Sequence, residues 1–155
     1  MKFADFWKAL QALEKSISID SPTKTSIKRA YWGAPQGELN ELPCAINVMS
    51  EPDRSVGFGG GRNQKLQIHI QVAVAKASVE NEHSSMTATA LWFAAKDAFD
   101  RDRTIGGTVS LSLLRGGGST VAPQPVAPVI LQHGGQAYIG FSALLEVQDA
   151  SKIEF

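Results

Sequence analysis

Residues 84–114 read SSMTATALWFAAKDAFDRDRTIGGTVSLSLL, and the reading of this stretch decides the fold. Met86, Ala90, Phe93, Ala94 and Asp97 fall three and four apart, as do Leu91, Ala94, Ala95 and Ala98, so the segment is a helix with two apolar stripes. Ser84 or Ser85 stands where a helix start needs an acceptor for an orphan backbone N–H. Gly106 and Gly107 then break the helical period, and Val109, Leu111 and Leu113 alternate as in a half-buried strand. The middle of the motif holds no catalytic residue type, and its second stripe exceeds what a small monomer needs. Both features point to packing against copies of itself or against a partner.

Upstream, Phe3, Phe6, Trp7, Leu10, Leu13 and Ile17 recur at steps of three and four, which predicts an amphipathic helix ending near Ser18. Asp20-Ser21-Pro22-Thr23 is turn chemistry. Ile27 to Trp32 reads as a strand, and Cys44, Ile46 and Val48 alternate as a second. The longest strand signal follows a glycine cluster. Leu66, Ile68, Ile70, Val72 and Val74 point one way, and Gln67, His69, Gln71, Ala73 and Ala75 point the other. Gly116 to Gly135 reads as a long Gly/Pro-rich loop, and Ile139, Phe141, Ala143, Leu145 and Val147 form the last strand. This order predicts one α+β domain over 1–155, a mostly antiparallel sheet with two helices packed on one face.

Composition narrows the function. The chain is 43% hydrophobic and 19% charged, which fits a folded domain and excludes global disorder. Fifteen basic side chains balance fifteen acidic ones, so no net charge draws the protein to nucleic acid. The single Cys44 excludes an internal disulfide and a multi-cysteine zinc site. The first residues carry charges where a signal peptide needs an apolar run, and no stretch approaches a membrane span, so a cytoplasmic site of synthesis is expected.

Candidate chemistry is sparse. Gly59-Gly60-Gly61-Arg62-Asn63-Gln64-Lys65 leads into a strand rather than a helix and lacks the hydroxyl of a phosphate-binding loop. His69, His83 and His133 show no metal-ligand spacing, so no metal and no cofactor is expected. Asp97, Asp100 and Asp102 alternate with Arg101 and Arg103, the pattern of a solvated helix end. Two alternatives remain open. One is a small nucleic-acid-binding adaptor using Lys28, Arg29, Tyr31 and Trp32, and the other an enzyme with a site around His83 and Asp97.

The order of elements, the step Thr104-Ile105-Gly106-Gly107-Thr108-Val109 after the second helix, and the closing strand Tyr138-Ile139-Gly140-Phe141-Ser142-Ala143-Leu144-Leu145-Glu146-Val147 resemble the tail terminator (tail-completion, or neck) proteins of tailed bacteriophages. The resemblance spans nearly the whole chain in pattern, and the proline-rich stretch from Val121 to Leu131 departs from it. It implies a virion structural protein and no enzyme. A homo-oligomeric ring, hexameric in that family, would sit at the head-proximal end of the tail tube. There it stops tube polymerisation and joins the tube to the head connector, while DNA passes through the lumen without specific binding. Assembly would take place in the host cytoplasm, and another neck or head–tail connector component is the nearest alternative. Under this reading, tube and connector contact falls to Gly57, Phe58, Gly59, Gly60, Gly61 and Arg62, and to Gly116, Gly117, Gly118, Pro123, Pro125 and His133. Subunit contact falls to Lys65, Gln67, His69, Gln71, Leu91 and Trp92.

Overall fold

The computed structural model describes residues 1–50, 53–54, 64–117 and 125–149. Helix α1 (Phe3–Lys15) and helix α2 (Glu82–Arg101) lie on one face of a seven-stranded sheet. Its strands are β3 (Arg29–Trp32), β4 (Cys44–Met49), β5 (Asp53–Arg54), β6 (Gln64–Lys76), β7 (Leu111–Gly116), β8 (Val129–His133) and β9 (Gln136–Asp149). A separate hairpin joins β1 (Ser18–Ile19) to β2 (Thr25–Ser26). The main order is β3-β4-β6-β9-β7, with β5 beside β6 and β8 beside β9. The fold is therefore α+β, with an antiparallel sheet except at β3–β4.

The two longest strands form the centre. β6 and β9 run antiparallel from the Gln64–Asp149 pair to the Lys76–Tyr138 pair, with a bulge between Ala73 and Ala75. Their inward alternations meet: Leu66, Ile68, Ile70 and Val72 from β6 with Phe141, Ala143, Leu145 and Val147 from β9, all buried under the helices. Phe6 and Leu10 of α1 and Leu91, Ala95 and Phe99 of α2 close that layer from above. Each such side chain contributes roughly 1.5–3 kcal/mol when fully buried. Among the described residues the opposite face is closed at one end only, where Leu39 and Leu131 pack on Cys44, Ile46, Ala73 and Tyr138.

Three expectations from sequence change, and the pairing of the first two sheet strands is now fixed. The helix begins at Glu82, before Ser84 and Ser85, and its N-cap Asn81 makes no side-chain cap, because that side chain accepts the Ser78 N–H at 2.7 Å instead. Within the mostly antiparallel sheet, β3 and β4 pair in parallel, so the connection 33–43 crosses the sheet face. The strand after Gly107 has the opposite phase to that expected. Ser112 and Leu114 are buried, whereas Leu111 and Leu113 are 42% and 41% exposed. Val109 is buried in the preceding turn, outside the strand. Finally, the stretch from Gly116 to Gly135 contains β8, which returns to β9 through the two-residue turn Gly134-Gly135 with both φ positive.

Candidate functional site

The residues expected at a subunit contact divide. Gln67, His69 and Gln71 do share one face, on the side of the sheet away from the helices, with His69 exposed and the glutamines half-buried. His69 shares a 2.7 Å hydrogen bond with the Ser50 hydroxyl, and Gln67 donates to Glu146 at 3.5 Å. Glu146 also takes the Arg115 guanidinium at 2.6 Å. Register sets Leu113, Glu146 and Gln67 in one row and Arg115, Leu144, His69 and Val48 in the next. The result is a polar surface edged by the exposed Leu111, Leu113 and Val48. Lys65 falls in β6, and its side chain lies outside the described residues.

Leu91 and Trp92 lie apart from these residues, in the helix layer on the other side of the sheet. Leu91 is fully buried beneath α2. Trp92 is half-buried and packs edge-on against Phe141, ring centroids 5.7 Å apart. The helix turns its other stripe outward. Phe93 is 63% and Met86 54% exposed, and with Ala90 they border an open groove against Ser21 and Pro22 of the β1–β2 turn.

The loop residues divide as well. Gly57, Phe58, Gly59, Gly60, Gly61, Arg62, Gly118 and Pro123 lie outside the described residues. Gly116 belongs to β7 and Gly117 follows it. The Gly117 N–H donates to the Ser142 carbonyl at 3.2 Å, and the Ser142 N–H donates to the Val126 carbonyl at 3.1 Å. The chain thus leaves and rejoins β9 at a single residue, with Pro125 exposed beside the return. His133 is not in a loop but ends β8, at the opposite end of β9 from the start of β6. Burial lowers its pKa below the usual histidine value.

Two strands at the sheet margins carry helix side chains on their outward backbone. Lys96 of α2 donates to the Leu114 carbonyl at 2.7 Å, and the Ser112 N–H donates to the Arg103 carbonyl at 2.6 Å, which occupies the free side of β7. Gln11 of α1 donates to the Ala30 carbonyl of β3 at 3.2 Å. Strand edges left bare invite pairing with other chains. No sequence signal marks these guards, because each bond joins residues far apart in the chain.

The alternative sites are not assembled among the described residues. His83 and Asp97 stand fourteen positions apart on α2, about 21 Å at 1.5 Å per residue, and both are exposed. Arg29 pairs with Glu41 at 3.3 Å and stacks on the Tyr31 ring at 4.9 Å. Trp32 packs edge-on against Phe3 and Trp7 at 4.9 and 5.4 Å, so its ring is engaged internally. Cys44 is buried in β4, and burial pushes its thiol up to about 11. Among the described residues no three metal-ligating side chains cluster, and no helix is long and apolar enough to cross a membrane. No protein-family model matches the chain, and no curated protein is detectably similar to it in sequence.

Proposed function

We propose that this chain is a structural ring subunit of the phage tail-terminator kind, which caps the head-proximal end of a tail tube and joins it to the head connector. One observation carries the reading beyond the sequence resemblance. The fold leaves apolar surface on both sides of the sheet, Phe93 and Met86 on α2 and Leu111 and Leu113 on the far face of β7. A ring built from identical subunits needs two different patches per subunit that complement each other. A self-complementary dimer needs one. The guarded edges of β3 and β7 direct that contact to side-chain faces rather than to strand addition at those edges.

Electron microscopy of the purified protein, alone and mixed with tail tubes from its own source, tests the proposal. Rings that cap one tube end and halt growth are the expected result. Bare tube ends at saturating protein would move the assignment to another neck component.

A further inference from the structure

The guarding of β3 and β7 has a counterpart that is left open. The Gly134-Gly135 turn closes the His133–Gln136 pair, so His133, Leu131 and Val129 direct their backbone groups to β9. Ile130 and Gln132 therefore turn theirs outward, and among the described residues those N–H and C=O groups have no partner. Both residues are exposed, Ile130 by 57%. The strand holds no lysine, arginine, aspartate or glutamate, the residues that ordinarily blunt an exposed edge.

We propose that β8 pairs antiparallel with β8 of a second copy, about a two-fold axis at Leu131. The register is fixed by the donors and acceptors. With Ile130 opposite the partner's Gln132, and Gln132 opposite the partner's Ile130, all four outward groups of each strand are used in four inter-chain hydrogen bonds. A shift by two residues in either direction leaves half of them unpaired. The axis sets Leu131 against its own copy and lays two identical strands side by side, which an uncharged strand tolerates and a like-charged one does not. The two Ile130 side chains lie diagonally across the axis on one face and shield each other from water. This contact is isologous and uses neither the α2 patch nor the β7 patch proposed to close the ring, so it stands or falls independently of that closure.

One short strand makes a small contact, so the dimer belongs to the weak, concentration-dependent class. Sedimentation velocity from about 10 µM to about 1 mM, with amide hydrogen exchange at the same concentrations, tests it. Expected are a monomer–dimer equilibrium and slowed exchange at the Ile130 and Gln132 amides as the dimer fills. Ile130→Lys and, separately, Gln132→Pro are expected to weaken the dimer about ten-fold or more with the melting temperature kept, and Ile130→Val to retain it. A monomer at every concentration overturns the proposal, as does a dimer whose Ile130 and Gln132 amides exchange freely. A species larger than a dimer that Ile130→Lys abolishes overturns the two-fold register, because another element of the neighbouring copy then occupies this edge.

Discussion

Asn47 donates its side-chain amide to the carboxyl of Glu14 at 3.1 Å, joining α1 to β4 inside the core. The same amide nitrogen donates to the Tyr31 carbonyl at 3.1 Å, so both its hydrogens are engaged. Among the described residues Glu14 Oε1 has no partner, and the cavity of about 10 Å³ beside it is otherwise lined by apolar side chains, among them Ile17, Ile70, Phe99 and Phe141. An ionised carboxylate there lacks compensation. Burial accordingly pushes the Glu14 pKa up to about 8, against the opposing pull of the Asn47 hydrogen bond.

Stability should therefore fall as pH rises. An unfolded Glu14 releases its proton near 4.5, whereas the folded protein holds it to about 8. Below 4.5 both states are protonated and the contribution is fully present. Between the two values only the folded state keeps the proton, and stability declines by about 1.4 kcal/mol per pH unit until the folded group ionises. Urea denaturation at intervals across that window checks this. Glu14→Gln should flatten the decline, and a variant with the same slope as the parent would assign the pH dependence to other groups.

Tyr138→Phe should destabilise without altering the sheet. The buried Tyr138 hydroxyl accepts the Leu39 N–H at 2.8 Å, fastening the connection 33–43 onto the far face. Removing the acceptor leaves a buried amide unsatisfied, at a cost of about 1–3 kcal/mol. Chemical denaturation gives the magnitude, and faster amide exchange confined to residues near Leu39 gives the location. A loss well below 1 kcal/mol would mean that water reaches the Leu39 amide.

Lys96→Met should expose the outward side of β7. The ammonium bridges the Leu114 carbonyl at 2.7 Å and Asp100 at 3.2 Å. Methionine keeps most of the apolar stem but withdraws the donor from the strand. Stability should drop by about 1 kcal/mol or less, since the ion pair is partly solvated, its side chains 34% and 40% exposed. Light scattering should show increased self-association, because a bare edge is a pairing template. Unchanged scattering at raised concentration would show that the Ser112–Arg103 bond alone guards the edge.

Much of this architecture is legible in the chain because it rests on local periodicity. α1, β6 and β9 each carry an uninterrupted apolar repeat, and their buried sides are those the repeat predicts. The phase of β7 is not legible. Val109, Leu111, Leu113 and Leu114 offer apolar residues at both parities, and the turn before them decides which pair faces α2. β8 has a readable signal, Val129-Ile130-Leu131 ahead of a Gly-Gly dipeptide, which the surrounding prolines and glycines obscure. Parallel pairing of β3 with β4, and the capture of outward carbonyls by Lys96 and Gln11, depend on contacts between distant residues that no repeat encodes. Glu14 lies one helical turn after Leu10 on the buried stripe, so its burial is implicit in the spacing although its partner is not.

The turn that sets the phase of β7 gives the most direct test of the fold. Ile105, Gly106 and Gly107 all have positive φ, at 46°, 63° and 77°, and Ile105 is fully buried. Asp102 and Thr104 hold the turn by accepting the Gly106 and Gly107 N–H groups at 2.8 and 3.2 Å. A side chain at Gly106 meets two obstacles, the left-handed backbone and the Ala9 Cβ of α1, which would lie 3.3 Å from an added Cβ. At Gly107 only the backbone objects, since nothing lies within 4 Å. Gly107→Ala should then cost about 1–2 kcal/mol, the penalty for an L-residue in this region. Gly106→Val should cost about 3 kcal/mol or more, because a β-branched side chain adds steric strain and pushes α1 away from the turn. Thermal and urea denaturation of the two variants side by side measure the difference. Equal losses at both positions would show that α1 yields at Ala9 without cost, and that the turn rather than its contact with α1 fixes how β7 enters the sheet.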